Sequence, residues 1–411
     1  MHNRLFYHFL ILPFMILVSF SNLLNAASND PLWSDSQGWN DVSNYSTIQA
    51  VGVGDELYLL ARGNAGMITL RYGRDSYKWV KAAENDPTWS DSYGWKDVSN
   101  YSMIQAVGVG DDLYLLTRAD AGMTMLRYDR DTNSWVSIVT DDPPWSDSYG
   151  WNDASNYSTI QAVGVGDDLY LLARADAGMI TLRYDSASGS WTNIEADDPA
   201  WSDSEGWNDV SNYSTIQAVV VGSDLYLLAR GNAGMVTLRY DDASGSWVDV
   251  ATNDPAWSDF HDWQDVSNYS TIQAVGVGDD LYLLARGNEG MTTLQYDRVS
   301  DSWVNVAKND PEWSDARGWS DISNYSTIQA VAVGDDLYLL ARADAGITIL
   351  RYDGASDSWV DVTTDDPAWS DPHGWEDVSN YSTIQAVGAG DDLYLFARGN
   401  AGMITRYFER P

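Results

Sequence analysis

No cysteine occurs anywhere in the chain. Disulfides therefore contribute nothing, and the fold must be held by its core and hydrogen bonds alone. Basic residues are scarce: 23 Lys and Arg stand against 60 Asp and Glu, for a formal net charge of -37 over 411 residues. A phosphate backbone repels such a surface, so nucleic acid is excluded as a partner. Histidine is scarcer still, with 4 residues, two of which (His2 and His8) precede the repetitive part of the chain. Sustained helical periodicity is absent, and after residue 20 no apolar stretch is long enough to span a bilayer.

The first residues differ from the rest. His2 and Arg4 precede an apolar run from Leu5 to Phe20, and small residues follow at Ala26 and Ala27. That order of charge, apolar run and small residues is the order of an export signal. Residues 1–26 are read as the signal peptide and 27–411 as the mature domain, secreted, extracellular or periplasmic; an uncleaved anchor is the alternative.

What the chain has in abundance is repetition. Trp-Ser-Asp begins at Trp33, Trp89, Trp145, Trp201, Trp257, Trp313 and Trp369, always 56 residues apart. Each unit carries four β-type runs separated by turn residues, which in the first unit are Thr47 to Val53, Leu57 to Arg62, Met67 to Tyr72 and Trp79 to Ala82. The runs LYLLAR and MITLRY are apolar on both alternating faces, as a sheet sandwiched between two neighbours requires. The predicted fold is all-β, a seven-bladed β-propeller of 56-residue four-stranded repeats. A linear β-solenoid is the alternative, with raw ends that need caps. The last unit stops at MITRYFERP, lacking a Leu and a fourth strand. It is expected either to remain three-stranded or to borrow a strand from around Ala27 to Leu32.

Antiparallel alternation puts the long inter-blade connection and the turn between strands two and three on one face. The connection offers Trp33, Asp35, Trp39, Asp41, Asn44 and Tyr45; the turn adds Arg62 and Asn64, with Asp120, Asp176 and Asp344 replacing that Asn in three units. Aromatic faces stack on sugars, and bidentate Arg and Asp read paired hydroxyls. The expected ligand-binding set is Trp39, Asp41 and Arg62; Trp95, Asp97 and Arg118; Trp151, Asp153 and Arg174; Trp207, Asp209 and Arg230; Trp263, Asp265 and Arg286; Trp319, Asp321 and Arg342; and Trp375, Asp377 and Arg398. The structural alternative is that Trp33 and Trp39 pack the loop down and that Arg62 pairs with Asp35 or Asp41 of a neighbouring junction. Trp79 and its equivalents are expected to pack between blades, and Gln49 to bond a neighbour or line the channel.

Asn-Tyr-Ser recurs from Asn44 to Asn380, either a glycosylation acceptor or a turn into the innermost strand. No cofactor is expected. Calcium is the exception considered, at Asp35-Ser36-Gln37-Gly38 with Asp41 or at Asp129 to Asn133. Catalysis draws on differentiated groups gathered in one place, whereas His261 and His373 occupy unshared loop positions and the seven units look alike. Asp35 with Asp41 as a glycosidase carboxylate pair is the counter-reading; the expectation is a protein that is not an enzyme and that gains avidity from repeated weak sites. The alternative function is an extracellular protein-interaction or surface scaffold without sugar binding.

The inner strand, LYLLAR, the Tyr-Asp pairs Tyr128-Asp129 and Tyr184-Asp185, and the outer-strand Trp resemble kelch-type and tectonin-type propeller repeats. The kelch double glycine is absent, with Ala61-Arg62-Gly63 in its place. The near-perfect repetition and aromatic inter-blade loops are similar to secreted seven-bladed propeller lectins of bacteria and fungi. That resemblance implies glycan or glycoconjugate partners bound between adjacent blades.

Overall fold

The computed structural model describes residues 23–409 apart from 29, 85, 121, 141, 177, 197, 233, 259–264, 288–289, 309, 318, 344–345, 364–376 and 401. After β1 (Leu23–Ser28), the first unit forms β2 (Gln49–Val53), β3 (Glu56–Gly63), β4 (Gly66–Gly73) and β5 (Lys78–Glu84), paired antiparallel in that order. The same sheet recurs as β6–β9 within 105–140, β10–β13 within 161–196, β14–β17 within 217–252, β18–β21 within 273–308 and β22–β25 within 329–361. The seventh sheet is β26 (Gln385–Ala389), β27 (Asp392–Gly399), β28 (Gly402–Glu409) and β1. The innermost strands touch their neighbours in a closed circuit, β26 lying beside β2. This is a seven-bladed propeller, and the open solenoid alternative falls.

Closure uses the N-terminal segment, over a span that shares Ala27 and Ser28 with the expected one and otherwise lies before it. β1 pairs with β28 from Leu23↔Phe408 to Ser28↔Ile404. The missing Leu leaves the ladder unbroken: Leu395↔Arg406 occupies the place of Leu59↔Leu70, and Phe408 stands where Tyr72 stands. Phe408 accordingly meets Tyr338 edge to face, as Tyr128 meets Tyr58. The first expected run is shorter than read, because Val42–Thr47 is a 3-10 helix. There Thr47 Oγ1 donates to the Asn44 carbonyl and accepts from the Arg62 N–H, which fixes the helix against β3.

The seams are dry. Leu57, Leu59 and Ala61 join Tyr394 and Phe396 of the previous blade, while Tyr58 and Leu60 join Leu113 and Leu115 of the next. At the axis the approach is so close that a Cβ on Gly52 would lie 2.2 Å from the Gly388 carbonyl oxygen.

Five of the six outer-strand Trp residues clamp one blade to the one before it by a hydrogen bond. Trp79 Nε1 donates to Thr405 Oγ1 (2.9 Å), Trp135 to Thr69 (2.8 Å), Trp247 to Thr181, Trp303 to Thr237 and Trp359 to Thr293. A buried Asp holds the same strand from the loop side. Asp30 Oδ2 accepts the Trp79 N–H while its Oδ1 accepts the Leu32 N–H, and Asp86, Asp198, Asp254 and Asp310 repeat the pattern. The third blade departs twice. Met125 replaces the threonine, leaving the Trp191 indole N–H without a partner, and Pro144 has no N–H for Asp142 Oδ1, which is also unpartnered.

Burial raises the Asp142 carboxyl above its ordinary value, opposed by a bond from the Trp191 backbone. A carboxyl raised in the folded state costs stability where it is ionised, and the cost fades as pH falls through the folded value. Pro144→Ala restores the donor and should add about 1 kcal/mol at neutral pH, less about 0.5 kcal/mol for the looser unfolded chain. Denaturant titrations across pH should show that gain shrinking and reversing in acid; a pH-independent difference would refute it. The signal boundary is tested separately. If β1 is retained, mass spectrometry of exported protein should place the N-terminus before Leu23; a terminus at Ala27 would mean that the outer strand of the last blade is removed.

Candidate functional site

The expected topology holds at the loop face. The turn between β3 and β4 docks under the inter-blade loop, with the Asn64 N–H donating to the Gln37 carbonyl (2.6 Å) and Asn64 Nδ2 to that of Ser36 (3.1 Å). Gly38 permits this: its φ is +95°, and a Cβ there would stand 2.6 Å from Asn64 Oδ1.

The described tryptophans of the expected set, however, offer no face to a ligand. Trp39, Trp95, Trp151, Trp207 and Trp319 are 0–1% exposed. Each packs edge-on against the Trp that opens its unit, with centroids 4.2 Å apart for Trp33–Trp39 and 4.6 Å for Trp145–Trp151. Their indole N–H groups donate to carbonyls seven residues back, Trp39 to Leu32 and Trp95 to Thr88. The expected stacking role is therefore corrected. A loop of roughly twenty residues cannot lie on the sheets without a core of its own, and the Trp pair is that core. Trp263 and Trp375 lie outside the described residues.

The arginines are also engaged. Arg62 meets Asp91 of the next loop through both guanidinium nitrogens, and Arg118–Asp147, Arg174–Asp203 and Arg286–Asp315 follow suit. Arg398 closes the circuit on Asp35, with Nη2 3.0 Å from Oδ2. For Arg230 and Arg342 the matching Asp259 and Asp371 fall outside the described residues. Beside each pair sits a buried tyrosine such as Tyr101, whose hydroxyl is raised chiefly by burial, with Arg62 acting against it.

Of the expected set, the aspartates stay exposed. Asp41 caps its 3-10 helix, accepting from the Ser43 N–H (3.0 Å) and hydroxyl (2.8 Å), and those bonds hold its carboxyl below the ordinary range. Asp97, Asp153, Asp209, Asp265, Asp321 and Asp377 sit likewise. At the five junctions whose Trp is described, Trp, Asp and Arg are gathered as read, with the Asp the exposed member of the three.

Sequence reasoning passed over the residue after each aspartate. Val42, Val98, Val210, Val266, Ile322 and Val378 are 59–63% exposed, and Ala154 is exposed in the third unit. Their 3-10 helices touch one another in a closed collar around the axis. The only available signal was an apolar residue at one position of a polar loop in seven units. Asn44 is buried, its amide donating to the Gly38 carbonyl (3.3 Å), which favours the turn reading of Asn-Tyr-Ser. Asp35 faces Arg398, and among the described residues no three acidic or histidine side chains converge to hold a cation.

The ion pairs can be weighed directly. Arg62→Met and Asp91→Asn should each lower the unfolding free energy by about 1–2 kcal/mol, with a coupling of about 1 kcal/mol in the double variant. Additive losses would show the pair to be energetically idle.

No protein-family model matches the chain, and no curated protein matches it. Solved structures do. The β-propeller domain of the Trilobed protease from Pyrococcus furiosus, described as having an open velcro topology, is 8% identical with a TM-score of 0.50, over 88% of this chain and 93% of that one. The polysaccharide lyase Uly1 is 11% identical with a TM-score of 0.51, over 88% of both chains. A puromycin hydrolase is 10% identical with a TM-score of 0.52 over 90% of this chain, which spans 53% of the hydrolase. At such identities the likeness shows the fold alone. It also corrects the expectation that the chain is not an enzyme: this architecture occurs in a lyase and in hydrolases, so seven similar blades do not exclude catalysis.

Proposed function

We propose that the chain is an exported, acidic interaction scaffold that engages a protein partner through its loop face, the contact being the collar of alternating carboxylate and aliphatic side chains. One observation carries this reading. With the tryptophans buried and the arginines paired, what each blade still exposes at the collar is an Asp followed by Val, Ile or Ala. Exposed aliphatic side chains recurring at one height around a ring form a repeated apolar feature, and exposed apolar surface favours protein contacts. The carboxylates beside them favour a partner whose matching surface is basic. Sevenfold presentation strengthens contacts that are weak singly. Export rests on the leader-like residues 1–26.

The sugar-binding reading has less support. It requires open aromatic faces at the seams, and Tyr77 is the one strongly exposed aromatic side chain among the described residues. Tyr93 and Tyr149 are half-buried in two loops and have no aromatic counterpart at most other seams.

Replacing Val42, Val98, Val210 and Val266 together by Ser should leave the thermal midpoint within a few degrees, because these side chains are exposed. The same variant should lose, by at least about tenfold, any protein captured by the parent from extracellular fractions of the source. Capture that survives in the variant would overturn the reading, as would glycan-array binding by the parent that free sugar competes away.

A further inference from the structure

The face opposite the loops holds a feature independent of the collar. In three blades the turn between the third and fourth strands carries an arginine, Arg74, Arg130 or Arg298, that reaches back across the seam. Each guanidinium lies over the ring of a tyrosine in the preceding blade: Tyr394 at 5.9 Å, Tyr58 at 5.9 Å and Tyr226 at 5.6 Å. Each pairs with the carboxylate two residues before that tyrosine, namely Asp392 (3.4 Å), Glu56 (2.8 Å) and Asp224 (3.3 Å). Each also bonds a carbonyl at the seam, that of Ala389, Asp111 or Val221. Ring face, carboxylate and carbonyl together make a guanidinium receptor, occupied from within.

At the seam between the third and fourth blades the occupant is missing. Asp242 stands at the arginine's position, and the space is a cavity of about 360 Å³ lined by Val165, Tyr170, Ser223 and Asp224, with Asp242 at its edge. The receptor parts remain. Tyr170 answers to Tyr226, Val165 to Val221 and Ser223 to Asp111, and Asp168 holds the acid position two residues before Tyr170. Asp242 adds a further negative charge where three other seams hold a positive one. Arg239 also lines the space, and Arg183 bonds the Tyr170 hydroxyl with the charges of Asp168 and Asp242 acting on it. Neither bars a further guanidinium, because Arg71 and Arg127 hold these two strand positions at the seam that Arg130 occupies, and Arg71 and Arg130 share Glu56. In the third and sixth blades the position is Ser186 and Gly354, neither of which reaches across a seam as the arginines do.

We propose that the seam between the third and fourth blades binds an alkylguanidinium group, the side chain of an arginine, with its plane over Tyr170 and its charge shared by Asp168 and Asp242. The three internal arginines act as built-in copies of the ligand.

The cysteine-free sequence makes the test clean. Ala243 is exposed at the cavity, so Ala243→Cys in the full chain gives a single thiol for a trifluoromethyl label read by 19F NMR. Agmatine and a blocked Gly-Arg-Gly peptide should shift the label saturably, and the response should weaken with salt. The blocked Gly-citrulline-Gly peptide, equal in shape but neutral, should not shift it. Tighter binding of the peptide than of agmatine assigns the ligand to polypeptide; equal affinity assigns it to free guanidinium compounds. Asp242→Arg, which restores the residue found in three blades, should fold and abolish the response, while Asp242→Asn should weaken it about tenfold. An equal response to citrulline, or an undiminished response in both variants, would overturn the proposal.

Discussion

The propeller hangs on its outer-strand tryptophans. In a wheel of blades every sheet must be joined to two neighbours through faces alone, since no backbone ladder crosses a seam. Dispersion and burial supply most of that adhesion but are indifferent to sliding. The indole-to-threonine bond supplies the missing specificity, because a one-residue shift of either strand turns donor and acceptor to opposite faces. The buried aspartate before each proline fixes the same tryptophan from its backbone side. Loop, outer strand and preceding blade thereby become one unit.

Much of this was legible in the sequence. The unbroken 56-residue spacing and the doubly apolar strands sufficed for a ring of four-stranded sheets, and antiparallel alternation placed the loops correctly. The site was misread because Trp39 lies among Ser, Asp, Gly and Asn, a composition of surface loops. The corrective signal was present: two tryptophans six residues apart in every unit describe a pair that packs on itself. The Asp30–Trp79 bond was not legible, since 49 residues separate its partners and only the folded blade brings them together. The borrowed strand was one of two readings of the last blade, and its span was displaced by the weight given to Ala26 and Ala27 as a cleavage signal.

Departures from the repeat carry as much information as the repeat. Ile349 occupies the threonine position of the sixth blade without orphaning any indole, because the blade that follows takes its outer strand from β1 and has no tryptophan there. Met125 has no such excuse, and the Trp191 indole N–H beside it goes unmet. The arginines on the face opposite the loops obey a third logic, present in some blades and absent in others. Seven copies of one unit have thus become distinguishable places, with the fold intact.

The pairing of β1 with β28 joins the first strand of the ring to its last. β1 is made before every other strand of the ring and finds its partner only when β28 has emerged. Six blades can assemble during synthesis, each on its predecessor, but the ring stays a horseshoe until β28 is made. A truncated product therefore exposes two unpaired apolar seams, a form that quality-control proteases recognise readily.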